Sequence, residues 1–180
     1  MRVAKKEIRD QAVLEMLLAE ARVGRLGTVG RGGWPMIKPL NFIHYRGRIY
    51  FHSAREGGKI EQILLDGRVC FEVDFPLTYV KSKGIPCKAD YLYRSVIARG
   101  QARPVTDEDE KEAALKALME KYQPEGGYGT FPGDKLALTA VVRIDIAEMT
   151  GKEDLGEEYE QAAVHQLLAN PSASVMIERS

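Results

Sequence analysis

The stretch Tyr50-Phe51-His52-Ser53-Ala54-Arg55-Glu56-Gly57-Gly58-Lys59-Ile60 brings a hydroxyl, flexible backbone and a cation to one turn. An aromatic segment of strand character enters the turn, and a short apolar-periodic helix leaves it. A phosphate monoester is held well by such a turn, because unpaired helix amides and a lysine meet its charge and its several acceptor oxygens. Glycines allow the close backbone approach this needs. Ser53, Gly58 and Lys59 are therefore candidate phosphate ligands. The plainer reading of the same turn is a helix entry with an exposed lysine. His52 stands at the strand end beside it, where an imidazole can donate a hydrogen bond or move a proton. A structural histidine bonding a backbone carbonyl fits that position as well, and His44 and His165 offer less. Arg94-Ser95 forms a second polar pair, either a guanidinium fork for an anion or a solvated strand end.

Other chemistries are poorly supplied. No three of His, Cys, Asp and Glu share metal-ligand spacing. Ser53 lies in Ser-Ala-Arg, without the flanking glycines of a nucleophile elbow. Cys70 and Cys87 have neither zinc nor redox spacing. Cys70 lies within Val69-Cys70-Phe71-Glu72-Val73 and is expected to be a buried strand residue. Gly24, Gly27 and Gly30 are evenly spaced, but no strand–turn–helix unit with a downstream acid follows, so they read as strand and turn glycines. Tyr79, Tyr91 and Tyr93 interleave with Lys81, Lys83 and Lys88. Yet the 26 basic and 26 acidic residues cancel, and a pI near 6.8 leaves no footprint for nucleic acid. No run is long and apolar enough to span a bilayer, and residues 1–7 lack a signal-peptide core, so a cytoplasmic protein is expected.

The elements that must position these residues are read from periodicity. The 180 residues, 44% hydrophobic and 29% charged, suit one soluble domain over residues 1–155 with a helical extension of it over 156–180. Asp10 caps a helix running to Ala21, with Val13, Leu14, Leu17 and Leu18 as its apolar stripe. Strands are expected at 25–29, 34–45, 48–52, 69–74, 94–105 and, last, 136–146, with Pro35 and Pro39 disturbing the second. A hairpin turning on Arg46-Gly47 sets Asn41 opposite His52. Lys59 to Leu65 is a short helix with Ile60, Ile63 and Leu64 inward. Thr106 caps a helix ending at Tyr122, with four acids in its first turn. Residues 76–92 and 123–134 read as loops, 157–169 as a final helix, and 172–180 as a tail. Strands joined mostly by hairpins give a mainly β (α+β) chain: an antiparallel sheet or small barrel with flanking helices.

Several segments, in order, resemble one family. They are Arg25-Leu26-Gly27-Thr28, Pro35 to Phe42, Tyr50 to Ala54 with Gly57 and Lys59, and Val69 to Asp74. Tyr93 to Gly100, Lys121-Tyr122, Val142 to Ile146 and Thr150-Gly151-Lys152 continue the series. Over about residues 7–152 the chain resembles the pyridoxamine 5′-phosphate oxidase-related flavoproteins, nearest their nitroimidazole-resistance branch. The resemblance implies an FMN-binding split β-barrel working as a homodimer, with the flavin at the interface. It implies that Lys59 and Ser53 hold the FMN phosphate, with Ala54 and Gly58 also among the cofactor-binding residues. Lys38, Pro39, Leu40, Asn41 and Phe42 would then follow the isoalloxazine edge, largely through backbone. His52 would lie close to the flavin as a candidate proton donor, and Arg94 and Ser95 would arrive from the partner subunit. The implied activity is electron or hydride transfer from reduced flavin to a small, for example nitroaromatic, acceptor, with NAD(P)H one compatible donor. The alternative is a non-catalytic flavin- or haem-binding module; the family also has deazaflavin binders. True pyridoxamine phosphate oxidases carry an arginine near Met36, a lysine at Asn41 and a C-terminal Trp and Arg for substrate. These are missing here, so vitamin B6 oxidation is not expected.

Overall fold

The computed structural model describes residues 4–170 and 176–179. After a 3₁₀ turn and the two-residue strand β1 (Glu7–Ile8) comes helix α1 (Gln11–Glu20). Asp10 caps it by accepting from the Ala12 amide at 2.9 Å, and Leu14, Leu17 and Leu18 are buried. Strands β2 (Gly24–Val29), β3 (Pro35–Leu40), β4 (Ile43–Tyr45) and β5 (Arg48–Ala54) follow, then helix α2 (Gly58–Leu65). Two long strands come next, β6 (Arg68–Ser82) and β7 (Asp90–Pro104), then α3 (Glu108–Tyr122), α4 (Gly133–Leu138) and β8 (Thr139–Asp154). A 3₁₀ turn at Glu158–Glu160 leads into α5 (Gln161–Ala169), and β9 (Ile177–Arg179) closes the described chain.

The main path of the sheet runs β3-β2-β6-β7-β8-β5-β4. Its two outer strands, β3 and β4, are consecutive in the chain, with only Asn41 and Phe42 between them. So short a link spans about 11 Å at most, so the two edges must come back together and the sheet must curl. This is the expected mainly antiparallel split barrel with flanking helices. β1 adds to β8, and β9 joins β6 in parallel. The inward faces of β2, β5, β6, β7 and β8, with α1 and α2, enclose the main core around Leu26, Phe51, Phe71, Val73, Val96 and Ile144. Phe42 enters this core edge-on to Phe71, with ring centroids 4.8 Å apart. On the outer face, α3 packs over Tyr50 and Val141 through Ala114, Leu115 and Leu118.

Several sequence expectations are corrected. The second strand is two, because the chain turns the barrel corner at Asn41-Phe42. Of residues 76–92, expected as a loop, only 83–89 are one, with a 3₁₀ turn at Pro86–Lys88; 76–82 and 90–92 belong to the outer arms of β6 and β7, paired from Pro76–Tyr93 to Val80–Asp90 across a register shift at Pro76/Thr78. Cys70 is exposed, since strand alternation turns Val69, Phe71 and Val73 inward and Cys70 out. Leu64 is 68% exposed, whereas Ile60 and Ile63 are buried. The helix after β7 is capped by Asp107, which accepts from Glu110 N at 2.7 Å, rather than by Thr106. Leu136 belongs to α4, and β8 runs on to Asp154, where Lys6 pairs with Asp154. The last described strand is β9. Pro171 and residues 172–175 of the expected tail lie outside the described residues.

The extension is fastened to the β6–β7 arms. Val164 and Ile177 pack on Val80 and Leu92. Glu160 is buried beneath Arg179, which donates to both its oxygens at 2.7 and 2.8 Å. That bidentate bond and a capping box with Glu157 hold the carboxyl below its ordinary range.

Candidate functional site

Strand β5 delivers His52, Ser53 and Ala54 to the rim of the barrel, and α2 starts four residues beyond Ala54. Gly57, the N-cap, has φ 112°, a conformation side-chain-bearing residues avoid, and no side chain caps the helix. A Cβ at Gly57 or Gly58 would meet nothing within 4 Å, so the turn opens outward with its first amides unclaimed by side chains.

Alternation along β5 sorts its side chains. Phe51 points into the barrel, and Ser53 shares its face; Tyr50 and His52 face the other way, toward α3. Lys59 Nζ stands 5.2 Å above the Phe51 ring centroid, on the Ser53 side. It is half-buried, and no carboxylate pairs with it among the described residues. Burial and then the charge of Lys38 press its pKa down. Lys38, on the edge strand β3, donates to Gln62 Oε1 at 2.9 Å, and buried Thr28 donates to the same oxygen at 2.6 Å. Gln62 lies on α2 one turn after Lys59. Sequence reasoning missed it and its role in aiming Lys38. The available signal was its i, i+3 relation to Lys59, which puts both on one helix face.

The segment from Lys38 to Phe42 leads from this cation pair around the barrel corner. Pro39 and Asn41 are exposed, while Leu40 packs on the core. The β4–β5 pairing ends at Ile43 with Tyr50, so the ladder itself does not reach Asn41 and His52, which the hairpin reading set opposite each other. Both line one cavity. Phe42 differs from the rest of its segment, because its backbone is already engaged. Its amide donates to the Tyr122 hydroxyl at 3.0 Å, whose single proton goes to Arg22 O at 2.8 Å, with Phe42 O at 3.1 Å as the alternative acceptor. Phe42 therefore has no free amide for a ligand. Tyr122 fixes the corner instead, with Lys121 Nζ 3.9 Å over the Phe42 ring. Burial lowers Lys121 to a pKa of about 8.

The cavity between α3, α4 and the outer face of β5 measures about 260 Å³. Leu115, Leu118, Met119, Phe131 and Leu136 make its apolar walls, and Asn41 and His52 stand at one end. Desolvation, and secondarily the charge of Lys59, lower the His52 pKa below its ordinary 6.5, so the ring is neutral at pH 7.

Arg94 and Ser95 lie elsewhere. In β8, Ser53 pairs with Ala140, whereas Arg94 pairs with Glu153 and Ser95 with Lys152, at the opposite end of that strand. Arg94 Nε donates to Glu153 Oε2 at 2.9 Å, and the residue lines a separate cavity of about 770 Å³ between α1 and α5. One chain therefore joins Lys38, Ser53, Gly58 and Lys59 into one cluster and His52 with Asn41 into a neighbouring one. It does not bring Arg94 or Ser95 to either. Among the described residues no group of three His, Cys, Asp or Glu is placed to hold a metal, and no helix is long and apolar enough to cross a membrane.

Comparison with known proteins places this architecture. The family model described as pyridoxamine 5′-phosphate oxidase matches residues 10–153. A candidate 5-nitroimidazole antibiotic resistance protein from Bacteroides thetaiotaomicron is 25% identical. It superposes with a TM-score of 0.72 over 82% of this chain and 86% of its own. The flavocytochrome Anf3 from Azotobacter vinelandii is 21% identical, with a TM-score of 0.77 over 90% of this chain and 77% of its own. The FAD and heme binding protein from Mycobacterium smegmatis is 18% identical, with a TM-score of 0.76 over 88% and 80%. These last two share the fold. No curated protein is detectably similar in sequence. A family model matched from α1 through β8, on a sheet curled into the same split barrel, shows that this chain belongs to the pyridoxamine 5′-phosphate oxidase family.

Proposed function

We propose that this protein binds FMN and, through it, passes electrons to a small acceptor. The observation that carries the reading is Lys59: a half-buried cation without a carboxylate partner among the described residues, beside Lys38 and an uncapped, open helix start. Two facing cations in protein are mutually unfavourable and call for an anion between them. In this reading Lys59, the Gly58 turn and Ser53 hold the phosphate, and Gln62 keeps Lys38 aimed at it. From Lys38 to Asn41 the strand advances about 10 Å, a distance a ribityl chain can follow, toward the His52 end of the α3 cavity. Bound FMN supplies the redox chemistry; the protein binds and orients it. Neutral His52 can donate or accept a proton there. The flavin named in the fold neighbours from Azotobacter and Mycobacterium is consistent with this reading, as is a cytoplasmic location, where NAD(P)H is available as donor.

A homodimer belongs to the same proposal. Trp34 and Ile37 on the β3 hairpin are 78% and 70% exposed, and Leu64 and Leu65 on α2 are also exposed. Large apolar side chains left in solvent on one side of a site favour a protein partner. A second copy is also the route by which Arg94 and Ser95 could reach a flavin held by Lys59. Sedimentation that finds only monomers with FMN bound would remove this part.

The deciding experiment is to purify the protein, record its visible spectrum and titrate it with FMN. A colourless protein that takes up no FMN ends the reading. A second reading, a flavin- or haem-binding module without turnover, is favoured by the α3 cavity, which among the described residues is lined by one histidine, His52, and no carboxylate. Reduced flavin reoxidised no faster with candidate acceptors than without them would select it, and a stable Soret band on haem titration would select its haem form.

A further inference from the structure

Where β7 ends and β8 begins, α2 and the start of α3 leave a further cavity of about 390 Å³. It shares only Thr139 with the α3 cavity, and none of Lys38, Ser53, Gly58 and Lys59 lines it. Ile60, Pro104, Val105 and Val141 give it apolar walls, with exposed Leu64 at the rim. Its charged lining is two cations and one acid: Arg55, Lys111 and Glu108.

Lys111 is the unusual member. It is 3% exposed, and a cation taken out of water needs acceptors for all of its N–H groups. Its Nζ donates to Leu136 O at 2.8 Å and lies 3.4 Å from Glu108 Oε2, so the third donor of the ammonium has no acceptor among the described residues. Glu108 compensates the charge weakly, because its own side chain is 73% exposed and water competes for it. Arg55, on the turn between β5 and α2, has no hydrogen bond or ion pair among the described residues. A buried, under-compensated ammonium and an unengaged guanidinium thus line one apolar cavity.

We propose that this cavity binds a small organic carboxylate, with its apolar body against Ile60, Val105 and Val141 and its oxygens between Lys111 and Arg55. The lining itself selects that class. Two cations against one exposed acid favour an anion over an amine, and neither Lys111 nor Arg55 can accept a hydrogen bond, so the ligand must bring the acceptor. With Glu108 present, a monoanion leaves the lining neutral, whereas a phosphate dianion overcharges it. The apolar walls favour a hydrocarbon body, and the volume suits a single ring or a short branched chain. The site stands whether or not the protein binds flavin.

The test uses the full-length protein with benzoate as the probe, against benzamide as its neutral and benzylamine as its cationic counterpart, read by calorimetry and ligand-observed NMR. Benzoate is expected to bind one per chain, about tenfold or more tighter than benzamide, with benzylamine and inorganic phosphate failing to displace it. Lys111→Met should weaken benzoate roughly tenfold or more and benzamide little. Arg55→Gln, on an exposed turn where no bond is lost, should weaken benzoate about three- to tenfold, and it decides the matter should Lys111→Met fail to fold. Lys59→Met should leave benzoate affinity unchanged. Benzoate binding no tighter than benzamide, or unchanged in Arg55→Gln, would overturn the site. Displacement by phosphate would overturn the carboxylate class. Loss of binding in Lys59→Met, or displacement by FMN, would move the anion to the phosphate turn and end its claim to a separate site. A protein that takes up no FMN yet binds benzoate loses the flavin reading and keeps this one.

Discussion

Lys59→Met separates the phosphate reading from a merely structural lysine. Methionine keeps most of the aliphatic stem over Phe51 and removes the charge. A hydrogen bond to a charged group contributes about 1.5–3 kcal/mol, so FMN affinity should fall roughly ten- to 150-fold. Riboflavin has the same ring and no phosphate, and its affinity should change less than about twofold. The apo-protein should behave differently. Burial and Lys38 both disfavour the Lys59 charge, so its removal relieves the folded state. The lost attraction to the Phe51 ring, about 0.5–1 kcal/mol, opposes this, and the apo melting midpoint should hold or rise slightly. The assays are fluorescence titration with both flavins and thermal unfolding without either. Equal losses for FMN and riboflavin would mean that Lys59 supports the ring or the fold. A clear drop in apo stability with FMN affinity intact would refute the phosphate role outright.

Three further outcomes follow from the same geometry. His52 titrates below 6.5 in the apo-protein, so apo stability should decline as the pH falls below 6.5, where the unfolded chain takes up the proton more readily. A phosphate beside Lys59 cancels part of that repulsion, so FMN should raise the His52 pKa in an NMR titration; a downward shift would contradict the placement. Tyr122→Phe removes the hydroxyl that serves Phe42 and Arg22, and should cost about 1–3 kcal/mol in denaturant unfolding; a neutral result would show that water replaces it. Glu160→Gln breaks a buried bidentate pair worth roughly 3–5 kcal/mol to its surroundings, so limited proteolysis should release the extension before the barrel. In the unaltered protein Arg179 lowers the Glu160 pKa, so this contribution is complete above the ordinary 4.5 and is lost as the pH falls through the depressed value.

The parts legible in the sequence are those whose physics is local. The strand–turn–helix at 50–65, the Asp10 cap, the acidic first turn of α3 and the Arg46-Gly47 hairpin follow from dihedral preference, capping and periodicity among residues close in the chain. Cys70, expected to be buried, is exposed, although the alternation that buries Phe71 was itself enough to turn it outward. The strand arms at 76–82 and 90–92 were not legible, because their strand character comes from pairing with each other and from cover by α5 and β9, partners that polar and proline-bearing residues do not announce.

The site divides the same way. Composition and spacing alone identify Lys59, Gly58 and Ser53 as a turn able to hold a phosphate, because a helix N-terminus is a local object. Tertiary structure decided which neighbours that turn has. Packing α2 against β2 and β3 brings Lys38 to it, held by Gln62 of the same helix. Packing α3 on the outer face of β5 makes the chamber that Asn41 and His52 share. The length of β8 carries Arg94 and Ser95 away from both. Each of these depends on contacts between residues tens of positions apart, which tertiary packing creates and no local preference encodes.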